Sequence, residues 1–204
     1  LKAVHGRVGR NITSGSTGMP LASLTTEITR AFWRAFTIRD HYWHGRDFSE
    51  SLATIREATA GDADPPHGKR VQNWGATRGL IDTGSGYLLT SQATVTEQAE
   101  WLLNNDPGYL LADPSTLRAL AEHFVHHQLR LPRLRQLRSF GEVLEPHCRE
   151  TCEQAFGVPV VDMYTSQEVG YMALQCPDCE NYHVQSEGVF VEVLAERSEE
   201  HTSE

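Results

Sequence analysis

An α/β fold around a parallel sheet is what this sequence predicts, and three observations carry the prediction. Strand-like and helix-like segments alternate from about residue 94 to residue 164. Three helical segments carry their own start residues, and one carries its stop. And 204 residues with 39% hydrophobic content suffice for one sizeable domain with a real core.

Residues 8–12 read as a short strand entering "TSGSTGMPL" (13–21), a loop that Pro20 closes. Residues 25–43 place Ile28, Ala31, Phe32, Ala35, Phe36 and Ile38 at helical spacing on one side. Residues 51–55 suit a strand, and "GDADPPHGK" (61–69) a loop. Thr94, with Glu97 three residues on, is a capping box, and its helix is expected to reach about Asn104. "GYLLA" (108–112) is a short buried strand. Pro114 stands in a first helical turn, and Leu117, Leu120, Ala121, Phe124 and Val125 give that helix its apolar face. Residues 134–140 form the next strand. Pro146 opens a helix through Phe156, which Gly157 ends, and 158–164 are a strand again. "GVFVEVL" (188–194) alternates strictly, as a half-buried strand does. Ligands in such sheets lie beyond the carboxyl ends of strands, where "FGEVLEP" (140–146) and "YTSQEVG" (164–170) fall.

The net charge of −9 argues against nucleic acid as a partner. No apolar run has the length of a membrane span, and no signal segment opens the chain. The four cysteines are therefore expected as reduced thiols or metal ligands in a cytoplasmic protein. The chain starts at Leu1 in mid-sequence, so an upstream part is expected. "RSEEHTSE" (197–204) resembles a translated sequencing adapter, and the credible domain is 1–196.

The opening loop has the composition of an anion nest. Gly15 and Gly18 let backbone N–H groups turn inward, and the hydroxyls of Thr13, Ser14, Ser16 and Thr17 add donors. A flexible turn has the same composition. The loop is no P-loop, because its second glycine comes early and no lysine follows. Cys176, Cys179 and His183 make C-x2-C-x3-H, three of the four ligands of a structural zinc; a polar turn is the alternative. Cys148 and Cys152, four apart on a helix, suit a small apolar role. His123, His126 and His127 share a helix, where a solvated face competes with metal binding.

Several stretches in order resemble the adenylate-forming superfamily. "TSGSTGMPL" resembles its phosphate loop, "DPSTLRALAE" its segment before a Gly-Glu turn, "FGEVLEP" that turn, and "VDMYTSQEVG" its Tyr-to-Glu motif. "CPDCENYHVQSEGVFVEVL" resembles the phenylacetate–CoA ligase-like branch. The likeness covers about residues 10–196. It implies part of a large N-terminal α/β domain that uses ATP to turn a carboxylic acid into an acyl-adenylate. The acyl group then passes to coenzyme A. By position, Thr13, Ser14, Gly15, Ser16, Thr17 and Gly18 would hold phosphates, and Gly141 and Glu142 would line the adenine. Tyr164 would stack on the ring. Asp162, Thr165, Ser166 and Gln167 would lie along the nucleotide, and Glu168 with Thr17 would hold Mg2+. The lid domain with its lysine, and the ribose-binding aspartate, are expected beyond Glu196. This chain alone is then expected to bind ATP or AMP weakly without efficient turnover.

Departures from the family pattern are Met19 and Leu21 where lysine is common, Thr165 for glycine, and Gln167 for a hydroxyl residue. An amine or carrier-protein acceptor and a homodimer stay open. So does a non-catalytic zinc-stabilised binding module. Trp74 and Tyr109 are candidates to line the acid pocket.

Overall fold

The computed structural model describes residues 6–12 and 22–193. The loop at 13–18, its neighbours Met19 and Leu21, and the tail at 197–204 lie outside the described residues.

A two-stranded antiparallel ribbon comes first: β1 (Gly9–Ile12) pairs with β2 (Ala22–Thr25), Gly9 opposite Thr25. The first helix, α1 (Glu27–Trp43), starts on Thr26, whose hydroxyl accepts the Thr29 N–H in a reciprocal capping box. The main sheet then builds from β3 (Leu52–Arg56), the short edge strand β4 (Lys69–Val71) and β5 (Gly86–Thr90). A 3-10 turn at Gly75–Thr77 lies between β4 and β5. Next come α2 (Val95–Asn105), β6 (Tyr109–Ala112), α3 (Pro114–His126), β7 (Gln136–Phe140), α4 (Pro146–Phe156) and β8 (Val160–Ser166). An antiparallel hairpin, β9 (Gly170–Gln175) and β10 (Tyr182–Val184), closes the sheet.

The order across the sheet is β10-β9-β8-β7-β6-β3-β5-β4. The central five strands, from β5 to β8, are parallel, and both flanks are antiparallel. The chain steps in one direction from β5 to β6 to β7 to β8. Right-handed crossovers therefore put α2, α3 and α4 on one face. The step from β3 to β5 passes through β4: before it, the His67 carbonyl accepts from Trp101 Nε1 on the α2 side, and after it, the 3-10 turn packs beside α1.

Strand alternation sorts the side chains between these faces. Ile55, Leu89, Leu110 and Leu137 meet Trp101, Leu117, Leu120 and Phe124 under the three helices. Each of these leucines is wholly buried, so truncation to Ala costs about 2–5 kcal/mol. Cys148 and Cys152 pack in this core as small apolar groups, and burial pushes the Cys152 thiol up to about 12. Met163, Leu174 and Tyr171 face Phe36 of α1 on the other side.

A buried ionic cluster joins α1 to the sheet. Asp40 Oδ2 accepts from Arg46 (2.5 Å) and from Arg138 of β7 (2.6 Å), and Arg46 Nε donates to Gln136 Oε1 (2.6 Å). The two guanidinium groups outweigh one carboxylate, so the cluster is net cationic. That field, added to burial, holds the adjacent His41 imidazole neutral, at about 2.

Three sequence expectations are corrected. Residues 188–193 form no strand, and Phe190 and Val193 project into solvent; the alternation is real, but no described strand pairs with it. The chain goes from β8 into the β9–β10 hairpin instead. Val125 is exposed, because one residue step turns it about 100° away from the buried Phe124. The strand at 158–164 runs later, as Val160–Ser166, so Tyr164, Thr165 and Ser166 belong to the strand itself.

Candidate functional site

The carboxyl ends of β6, β7 and β8 lie side by side, and α3 and α4 both begin there. At this edge the chain leaves β7 through Gly141, whose φ of +80° is a left-handed turn that favours glycine. Glu142 and Val143 follow, both exposed.

Glu142 is tied to the start of α3. Its Oε2 accepts the Ser115 N–H (3.1 Å), and both its oxygens lie within 2.9 Å of the Ser115 hydroxyl. Asp113, the N-cap, accepts from the Thr116 N–H (2.8 Å) and also approaches the Ser115 hydroxyl (2.9 Å). One hydroxyl proton thus serves oxygens from two carboxylates. Both anions sit against the positive end of the helix, which offsets their repulsion. In the sequence Ser115 stands inside "DPSTLRALAE". Its N-cap context was legible, but its link to Glu142, 27 residues away, was not.

Tyr164 is 57% exposed near the carboxyl end of β8. Val160 of the same strand packs under the helices, so alternation places Tyr164 on that face too, the side of the Gly141–Glu142 turn. A β-bulge lies between Tyr164 and Thr165: Tyr164 opposes Ala173, while Thr165 opposes Tyr171. The extra residue is Met172 of β9, left without a partner on β8.

The Glu168 turn is short and well supported. Ser166 Oγ accepts the Val169 N–H (3.3 Å), and Gly170 closes the turn at φ +80°. A Cβ on Gly170 would lie 3.7 Å from Trp33 of α1, whose ring stacks on Tyr171 at 6.5 Å. Glu168 itself is half-buried and makes no hydrogen bond or ion pair with a described residue. A half-exposed carboxylate of this kind suits Mg2+, which takes one or two carboxylates and completes its shell with phosphates and water. Thr17, its expected companion, is outside the described residues, and Gln167 is exposed beside Glu168.

Other expected positions fall elsewhere. Asp162 is buried: Oδ1 accepts from Ser139 (2.5 Å), Oδ2 from the Tyr182 hydroxyl (2.6 Å), and its N–H donates to Gln175 Oε1 (2.8 Å). It ties β7, β8, β9 and β10 together, and burial, with the Asp162 carboxylate second, pushes the Tyr182 hydroxyl pKa upward. Trp74 and Tyr109 are not at this edge. They are buried near the amino ends of β3 and β6, where Trp74 Nε1 donates to the Glu50 carbonyl (2.9 Å) and the Tyr109 hydroxyl accepts the Asp47 N–H (2.8 Å).

Cys176, Cys179 and His183 flank the β9–β10 turn, closed by the Cys176 N–H to the Asn181 carbonyl (2.7 Å). His183 packs edge-on against Trp43 at 5.2 Å. Among the described residues, no three His, Cys, Asp or Glu side chains are grouped to hold a metal ion. No described helix is long and apolar enough to cross a membrane.

No family model matches the chain, and no curated protein matches it in sequence. Solved structures match it in fold. A 2-hydroxyisobutyryl-CoA ligase in complex with 2-HIB-AMP and CoA is 17% identical with a TM-score of 0.60, covering 87% of this chain and 40% of its own. The anthranilate CoA ligase AuaEII in complex with anthranoyl-AMP is 18% identical with a TM-score of 0.59, covering 83% of this chain. The amide bond synthetase McbA from Marinactinospora thermotolerans is 18% identical with a TM-score of 0.54, again over 83%. The chain spans 31–40% of the length of these three. It has the fold of part of the large N-terminal domain of the adenylate-forming enzymes.

Proposed function

We propose that the whole protein activates a carboxylic acid with ATP and passes the acyl group to the thiol of coenzyme A. The carboxylate oxygen attacks the α-phosphorus, pyrophosphate leaves, and an acyl-adenylate remains. The thiol sulfur then attacks the acyl carbon and displaces AMP, giving a thioester. In this reading Gly141 and Glu142 line the adenine and Tyr164 stacks on it. Thr13, Ser14, Gly15, Ser16, Thr17 and Gly18 hold the phosphates, Thr165, Ser166 and Gln167 lie along them, and Glu168 with Thr17 holds Mg2+. Bound there, Mg2+ supplies the positive charge that offsets repulsion between two reacting anions.

One observation carries the reading. The Gly141–Glu142 turn, the exposed Tyr164 ring and the Glu168 carboxylate, which makes no described bond, come together at one sheet edge. An open aromatic face beside a fixed turn suits a flat ring. The likeness to an amide bond synthetase supports a second acceptor, an amine, for the same adenylate. The test is the complete protein with ATP, Mg2+ and a panel of acids, each with coenzyme A or an amine. Acid-dependent formation of AMP and pyrophosphate is expected. Release of ADP and phosphate, or no dependence on any acid, overturns the reading.

A further inference from the structure

Far from the sheet edge, the last turn of α3 carries a histidine pair that the proposed reaction does not use. His123 and His127 are four residues apart, and the His127 N–H still donates to the His123 carbonyl (3.0 Å), so helical geometry holds through the pair. Their ring centroids are 4.3 Å apart. Two imidazoles sharing a metal at about 2.0–2.1 Å per nitrogen, at angles of about 90–109°, place their ring centroids roughly 4.5–5.2 Å apart. The rings need little movement to chelate.

The pair opens onto a groove of about 270 Å³ between α2 and α3, also lined by Thr96, Glu100, Leu103 and Leu129. Glu100 supplies a carboxylate across the groove. His126 projects differently: its ring meets His127 edge-on at 4.7 Å, and it lines a separate surface with Glu122 and Thr151.

We propose that His123 and His127 form a two-imidazole chelate for a divalent transition metal on the outer face of the helical layer, its other positions filled by water. No third ligand converges in the described structure. The site is therefore an open, exchangeable one and not a closed structural centre. Nitrogen donors favour the later metals, with Cu2+ above Ni2+ above Co2+.

The experiment is calorimetric titration of the chain with Ni2+ at pH 7.5, with Cys176 and Cys179 replaced by Ser so that exposed thiols do not compete. One saturable site is expected. His123→Ala and His127→Ala should each weaken it by at least about tenfold, and His126→Ala should change it by less than about twofold. Ni2+ should raise the melting temperature of the parent and of His126→Ala but not of His123→Ala. No saturable binding by the parent, unchanged binding by His127→Ala, or equal loss in His126→Ala overturns the proposal. His126 and His127 are exposed and His123 is partly exposed, so the variants are expected to fold.

Discussion

Mild acid should destabilise this protein, with His41 the largest contributor. Its imidazole lies beside Arg46 Nη1 (3.3 Å), and burial, then Arg138, then Arg46 lower its pKa from 6.5 to about 2. In the unfolded chain it titrates near 6.5. Between these values the unfolded state binds the extra proton, so stability rises with pH. The contribution is complete above pH 6.5 and is lost progressively as pH falls toward 2. Each unit costs up to about 1.4 kcal/mol, so at pH 4.5 the loss is roughly 2–3 kcal/mol. Asp40, lowered from 3.8 to about 2, has the same sign but acts only below about pH 4. The window from pH 7.5 to 4.5 therefore isolates the histidines. Urea unfolding followed by the fluorescence of the buried Trp74 and Trp101 is the assay. His41→Gln keeps an acceptor for Arg46 and removes the titration. The wild type should lose roughly 2–3 kcal/mol more than His41→Gln across the window. Equal losses would refute the account of the cluster.

Ser115→Ala should free the Gly141–Glu142 turn, raising KM for ATP by roughly 3–10-fold with kcat within about twofold, while Ser115→Thr restores it; steady-state kinetics of the complete protein decide. Cys179 and Cys176 should react with a disulfide reagent in the native state, whereas Cys148 and Cys152, buried with raised pKa values, should react only after unfolding. Met19→Lys should lower the Mg2+ concentration for half-maximal activity by about fivefold, since one charge near a phosphate is worth about 1 kcal/mol in water. An unchanged requirement would remove that loop from the phosphates.

What the sequence revealed was what short-range chemistry decides. Thr94 with Glu97, Pro114 after Asp113, and Pro146 mark helix starts and Gly157 a stop, and α2, α3 and α4 begin, and α4 ends, within a residue of them. β5 is not legible although it belongs to the parallel block, because "GYLLT" follows a glycine-rich turn with no helix signal before it. "GVFVEVL" failed for the opposite reason: alternation marks two faces but provides no strand to pair with. Asp40 reads locally as a solvated helix residue. Only Arg138, 98 positions away, makes it a buried ion pair. At the candidate site, Glu142, Tyr164 and Glu168 were legible as motif residues. The Ser115 tether and the inward turn of Asp162 arise from contacts between elements distant in sequence, and the bulge between β8 and β9 shows only once the two strands pair.

The most direct measurement of the central claim is acid-dependent pyrophosphate release from ATP by the complete protein and its Glu168→Gln variant. Glu168→Gln keeps the shape of the turn and removes the charge that would hold Mg2+. The account predicts brisk release by the wild type and a loss of about 100-fold or more in the variant at equal Mg2+. Equal release by the two proteins would contradict it.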